Sequence, residues 1–158
     1  MRIGFGYDSH RFDEDRELIL GGVVIPGVPG LTGFSDGDAI AHAVTDAILG
    51  AACLGDIGSH FPTGDEQWKN ADSLDLLRTA VSSVRDAGYR VGNVDVTVVC
   101  EFPRIGPFAI QMREALAGAL AVDSGSVSVK GKSNEEMGWE GRRDGLAAYA
   151  VALLLPSE

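Results

Sequence analysis

The 158 residues carry little positive charge: 13 Lys and Arg stand against 23 Asp and Glu, for a net charge of −10. A protein that grips a phosphate backbone needs a basic face, so the deficit argues against nucleic acid as a partner. Cysteine is also sparse. Cys53 and Cys100 are too few for a disulfide framework, and their apolar neighbours predict small buried thiols in a reducing compartment. No apolar run nears the roughly 20 residues that span a bilayer, so no membrane partner is expected. Met1-Arg2-Ile3-Gly4 leads straight into a strand pattern without a signal peptide, which predicts a cytoplasmic protein or the mature form of an organellar one. Repeats, low-complexity tracts and composition breaks are missing too. With 45% hydrophobic and 23% charged residues, residues 1–158 are expected to form one domain with a core that needs no staple.

Period-two alternation of Ile3, Phe5 and Tyr7 with Gly4, Gly6 and Asp8 predicts a strand over residues 2–8. Short β segments are expected near Leu18–Leu20 and Val23–Ile25, followed by a glycine-rich loop over 27–37. Ile40, Val44 and Ile48 mark a helix reaching about Leu54. Leu74, Leu77, Val81 and Val84 predict another over Ser73–Asp86, stopped by Gly88. Val94, Val96 and Val98 form a strand. Pro107 opens a helix carrying Phe108, Met112, Leu116 and Leu120. Val127 and Val129 lie on a strand, and 131–145 is irregular. Gly145 to Leu155 fits helix and buried strand about equally. The predicted class is α+β, a mixed sheet with helices on one face.

Three residues stand out chemically. Asp8 and His10 share one face of the first strand, and Gly4 and Gly6 on that face are expected to leave room beside them. Asp38, His42 and Asp46 are spaced to form a stripe opposite the Ile40–Val44–Ile48 face of the first helix. Two histidines and a carboxylate can hold zinc with the fourth position open, and Asp46 is the expected partner that orients His42. The same residues have plainer readings, a surface histidine and capping carboxylates; Ser35 fits an N-cap with Asp38 closing a capping box. Gly4-Phe5-Gly6 is no dinucleotide fingerprint, because Ser9 stands where the third glycine belongs and no helix follows. His60 is expected on the surface or in packing. Lys130, Lys132, Arg142 and Arg143 surround Glu135 in the sequence, which suggests phosphate contact, and Glu135-Glu136 could take a hard cation.

The run from Met1-Arg2-Ile3-Gly4 to Asp8-x-His10, then Ser35-Asp36-Gly37-Asp38 to His42, Thr45-Asp46-Ala47 and Leu54-Gly55-Asp56-Ile57-Gly58, resembles the 2-C-methyl-D-erythritol 2,4-cyclodiphosphate synthase family. Gly92-Asn93-Val94-Asp95 and Gly138-x-x-Gly141-Arg142 continue the match, in order, over essentially the whole chain. The resemblance implies a lyase of the non-mevalonate isoprenoid pathway, in a bacterial cytoplasm or a plastid-type organelle. Its substrate would be 4-diphosphocytidyl-2-C-methyl-D-erythritol 2-phosphate, closed to a cyclic diphosphate with release of CMP. It further implies a homotrimer with active sites between subunits and an apolar central cavity where relatives bind isoprenoid diphosphates.

Carried over by position, the resemblance makes Asp8, His10 and His42 zinc ligands and Glu135 the ligand of a second cation, Mg²⁺ or Mn²⁺. It assigns the methylerythritol hydroxyls to Asp56 and Gly58 and a phosphate contact to Ser35. Cys100, Arg104, Ile105, Gly106, Gly131, Lys132 and Ser133 would form the cytidine pocket lent by a neighbouring subunit. Tyr7, Trp139 and Arg142 would lie at the central cavity and its mouth. The net charge is compatible with this role, since metal ions can supply the positive charge that a polyanionic substrate requires. Phe34 departs from the family pattern where a histidine is usual, Arg104 replaces a common lysine, and Lys132 adds a charge to a segment usually rich in threonine. By their chemistry alone the three candidate ligands equally suit a zinc phosphohydrolase, and Phe34 leaves room for an isoprenoid-diphosphate-binding trimer with weak or lost cyclase activity.

Overall fold

The structure, a computed structural model, describes residues 1–157. The expected α+β architecture is present as a five-stranded sheet in the order β2-β1-β5-β3-β4. β1 (Arg2–Leu20), β2 (Val23–Leu31), β5 (Gly145–Pro156) and β3 (Tyr89–Val99) pair antiparallel, and β3 runs parallel to β4 (Val127–Lys132). Helices α1 (Ala39–Ala52), α3 (Ser73–Asp86) and α4 (Ala109–Leu120) cover one face. The single turns α2 (Ile57–His60) and α5 (Gly138–Gly141) lie in the connections.

β1 is longer than its alternation predicts because it changes partner along its length. Arg2–Arg11 pairs with β5, and Phe12–Leu20 pairs with β2 through a register shift between Asp13 and Glu17. The charged stretch between its apolar ends is therefore strand instead of loop, but it bulges: Asp13 pairs with Gly30 and Glu17 with Pro29, leaving Glu14–Arg16 out of the β2 ladder. β2 likewise extends to Leu31, into the segment expected to be a loop. The two are joined at Gly21 and Gly22, whose φ angles of 57° and 76° suit the tight turn that matches strand twist. The ambiguous C-terminal segment is β5, at the centre of the sheet. Its Leu146, Ala148, Ala150, Ala152 and Leu154 are fully buried toward the helices. Alanine there is a packing choice: small side chains let α1 lie close.

That closeness corrects one expectation. A Cβ on Gly4 would sit 1.9 Å from the Ala47 carbonyl oxygen, and one on Gly6 only 1.8 Å from that of Ala43. The glycines admit the helix backbone itself and leave no open space. α1 is consequently buried on nearly all sides, including Asp38, Ala43, Thr45 and Ala47.

Its N-cap is Asp38, not Ser35. Asp38 Oδ1 accepts from Ala41 N at 3.0 Å and Gly21 N at 2.8 Å, and Oδ2 accepts from Gly22 N at 2.7 Å. One carboxylate thus joins the helix start to the β1–β2 turn, and burial pushes its pKa up to about 6 against those hydrogen bonds. The helix ends at Cys53, which is exposed rather than buried as expected; its φ of 59° puts it in the left-handed cap position. Cys100 is buried, as expected.

Candidate functional site

Asp8 and His10 follow Gly4 and Gly6 on the helix-facing side of β1, just where α1 stops covering the strand. His42 projects from the first turn of α1 toward them. His10 Nε2 lies 2.7 Å from Asp8 Oδ2, His42 Nδ1 lies 2.9 Å from the same oxygen, and the two nitrogens are 3.4 Å apart. These three form a group whose donor atoms all lie within 4.8 Å of one another. Ligands at 2.0–2.1 Å on a tetrahedral ion are themselves about 3.3–3.4 Å apart, so the histidine pair already has the spacing of a metal-bound pair and the carboxylate needs only a small outward shift. The donor chemistry fits a dication.

Burial raises the cost of Asp8's charge, but hydrogen bonds and charge from His10 and His42 outweigh it and hold the carboxyl below its ordinary value. His42 is shifted the other way. Burial disfavours its charged form, yet the hydrogen bond and charge of Asp8 raise its pKa.

Asp46 does not orient His42: its Oδ1 accepts from Ile57 N at 2.7 Å and so ties α1 to α2. The far ring nitrogen of His42 instead meets Ser35 Oγ at 3.0 Å and Ser73 Oγ at 2.9 Å. The loop carrying Ser35 is clamped by Arg16 from β1, whose guanidinium donates to the carbonyls of Gly33 and Ser35, both at 2.5 Å.

Asp8, His10, Phe34, Ser35, His42 and Gly58 share a cleft of about 210 Å³ with Phe61, Trp68 and Leu76. The last three had no signal in the sequence, because aromatic and leucine residues at such spacing look like ordinary core. Asp56 caps α2, accepting from Ser59 N at 2.8 Å. His60 packs as expected, with Nε2 2.9 Å from the Leu54 carbonyl oxygen.

The other expected site residues lie apart from this cleft. Cys100, Arg104, Gly106, Gly131, Lys132 and Ser133 line a second cleft of about 560 Å³, at the C-terminal ends of the parallel strands β3 and β4. Ile105 is buried beneath it, 2% exposed, so its side chain is core. Burial, reinforced by the Glu101 charge, pushes the Cys100 thiol up to about 11, which keeps it neutral. Trp139 and Arg142 border a third cleft of about 520 Å³ with Ser9, His10 and Thr32. Lys130 does not attend Glu135; its Nζ binds both carboxylate oxygens of Asp95 at 2.6 Å.

Sequence reading also missed Glu101. Its Oε1 accepts from Asn134 N at 2.8 Å and Glu136 N at 3.2 Å, bracketing Glu135. Glu135 and Glu136 both have left-handed φ angles, 52° and 61°, which are costly for residues with a Cβ, and Glu101 helps hold the loop in that form.

Residues 1–155 match the profile of the YgbB family. A 2-C-methyl-D-erythritol 2,4-cyclodiphosphate synthase of Symbiobacterium thermophilum is 54% identical over 154 residues, covering 98% of both chains. Its namesake from Gemmatimonas aurantiaca is 54% identical over 155 residues, covering 98% of this chain and 93% of the other. Among solved structures, the IspF–CDP complex of Plasmodium falciparum superimposes with a TM-score of 0.86 at 36% identity, over 99% of this chain and 97% of that one. The bifunctional IspDF of Campylobacter jejuni gives 0.96 at 40% identity; the match covers 99% of this chain and 42% of the larger protein. Matched this closely from end to end, in sequence and in backbone, the chain belongs to the YgbB family.

Proposed function

We propose that this chain converts 4-diphosphocytidyl-2-C-methyl-D-erythritol 2-phosphate into 2-C-methyl-D-erythritol 2,4-cyclodiphosphate and CMP. The observation that carries the reading is the convergence of Asp8, His10 and His42 on one point of a cleft, in a chain of this family. In the reaction a 2-phosphate oxygen bonds to the β-phosphorus, the bond from that phosphorus to the bridging oxygen breaks, and CMP leaves with the electron pair. The nucleophile is already an anion, so no general base is required. Positioning and neutralisation of charge do most of the work.

Zn²⁺ held by Asp8, His10 and His42, with Mg²⁺ or Mn²⁺ at Glu135, would supply electrophilic activation of the phosphoryl groups. Gly58 lines the metal cleft and Asp56 precedes it by two residues, so both suit the methylerythritol hydroxyls. Ser35 is turned toward His42, so any phosphate contact would need its hydroxyl to be shared. Cys100, Arg104, Gly106, Gly131, Lys132 and Ser133 suit the cytidine moiety, with Ile105 supporting from below. Relatives whose structures are described with CDP support a nucleotide ligand.

The metal cleft and the nucleotide cleft are separate on one chain, which favours sites completed between subunits of a trimer. The sheet face opposite the helices supports the same assembly, since Ile3, Phe5, Tyr7 and Val151 are exposed there at 72%, 62%, 44% and 46%. In that assembly the face would line the central cavity expected to take an isoprenoid diphosphate, with Trp139 and Arg142 nearby. Residues 1–158 would act as a single synthase domain.

Incubation with the cytidylyl substrate, Zn²⁺ and Mg²⁺, followed by phosphorus NMR, tests the proposal. A cyclic diphosphate with stoichiometric CMP is expected. Linear phosphates alone would indicate a phosphohydrolase, and binding without CMP release would indicate a carrier. His42→Ala should lose zinc and turnover while assembly persists; full zinc occupancy in that variant would contradict the ligand assignment.

A further inference from the structure

Behind His42, away from Asp8 and His10, lies a buried chain of polar groups. Ser73, the first residue of α3, is 1% exposed, and Ser35 is 8% exposed. Ser73 Oγ lies 2.5 Å from Asp36 Oδ1, and Ser73 N donates to Asp36 Oδ2 at 2.9 Å. Asp36 is itself fixed, with Oδ1 accepting from Asp38 N at 3.0 Å and its own N–H donating to the Ala71 carbonyl at 3.1 Å.

The protons can be assigned. Ser73 has one hydroxyl proton, and a carboxylate only accepts, so that proton goes to Asp36. Ser73 Oγ, 2.9 Å from His42 Nε2, can then act toward the ring only as an acceptor. His42 must supply the hydrogen from Nε2. Ser35 Oγ, 3.4 Å from Ser73 Oγ and 3.0 Å from Nε2, is compatible: it donates to Ser73 and accepts from the ring. With a cation in place of a proton on the Asp8 side, an imidazole protonated at Nε2 turns its Nδ1 lone pair toward Asp8 and His10; without one, Asp8 Oδ2, 2.9 Å away, competes by accepting from Nδ1. Turning the ring over would put a carbon against two buried hydroxyls, at the cost of their hydrogen bonds.

We propose that Asp36, acting through Ser73, fixes His42 in its Nε2–H form and thereby makes Nδ1 the metal-binding atom, so that Asp36 and Ser73 are positioning residues. The metal part rests on the reading that Asp8, His10 and His42 hold a dication. Partners that orient a ligating histidine typically change metal affinity 10–100-fold when removed.

The test pairs zinc affinity, from competition with a chromogenic chelator, with nitrogen NMR of labelled histidine in metal-free protein at alkaline pH, read in an Asp8→Ala background that removes the competing acceptor. With Asp8 removed, His42 should carry its proton on Nε2. Ser73→Ala should weaken zinc about 10–100-fold and mix the tautomers, while Ser73→Thr, which keeps the hydroxyl, restores both readouts. Asp36→Asn, which swaps an acceptor oxygen for a donor, should give a smaller loss in the same direction, and no loss would remove Asp36 from the relay. Unchanged affinity and tautomer in Ser73→Ala, with only a lower Tm, would leave a structural role and overturn the proposal. Failure of the native protein to bind zinc would refute the metal reading separately. The tautomer in Asp8→Ala alone still decides the relay in that case, or if Ser73→Ala does not fold, and a proton on Nδ1 there would refute it.

Discussion

In the metal-free protein His42 holds its proton more tightly than a free histidine. Burial opposes this, but Asp8 outweighs it, with Asp38 and Asp36 adding negative potential. The sign follows from linkage. A raised histidine pKa stabilises the fold fully below the unfolded value near 6.5, and that contribution fades as pH rises through the folded value. A dication must displace this proton, so its stabilisation grows over the same interval. The Tm difference between zinc-loaded and metal-free protein is therefore expected to widen from about pH 6 to pH 8. Calorimetry showing a constant or narrowing difference would contradict the competition. Asp8-x-His10 and His42 offered candidate ligand types, but the same residues also fitted a surface histidine and capping carboxylates until the fold brought them together. What orients His42 was not legible, because Ser73 lies 31 residues along the chain from it and only the fold brings them together.

The decisive contact between elements is that of β1 with α1, made through glycines on the strand and alanines on both α1 and β5. Gly6→Ala places a methyl carbon where the Ala43 carbonyl oxygen stands, 1.8 Å away. The helix must then retreat from the sheet, separating His42 from Asp8 and His10. Overpacking of this kind costs about 3 kcal/mol or more where backbone must move. Urea unfolding should show that loss together with weaker zinc binding. A change below about 0.5 kcal/mol, the range of neutral surface substitutions, would mean the helix does not lie against this strand. The helices were largely legible from their apolar spacing, as α3 shows over Ser73–Asp86. The strands were less so: β1 continues through the charged Asp13–Glu17 as a bulge, with Asp13 and Glu17 paired to β2 and Arg16 reaching the 33–35 loop.

At the scale of the whole molecule, two faces of one sheet behave differently. The inner face carries the core and the Asp8–His10–His42 cleft, whereas the outer face presents Ile3, Phe5 and Tyr7 beside Tyr149 and Val151. Tyr149 lies 5.1 Å from Tyr7, ring centre to ring centre. Exposed apolar groups so closely grouped are a contact surface in waiting. If the proposed trimer assembles through this face, Phe5→Asp should turn it into monomers in sedimentation and abolish turnover with little change in the helical circular dichroism signal. A Phe5→Asp protein that remains trimeric would place the subunit contact elsewhere. Alternation along residues 2–8 marked the strand, but gave no way to know which face would be left uncovered.

Side-chain chemistry and periodicities within a few residues already carried the candidate ligand types, the main helices and the α+β class. Only the tertiary structure decided that β5 is a central strand, that Asp38 caps α1, that Glu101 supports the Glu135 loop and that Asp36 reaches His42 through Ser73. Each depends on hydrogen bonds or packing between segments distant in the chain, and no local pattern encodes which buried donor will meet which acceptor.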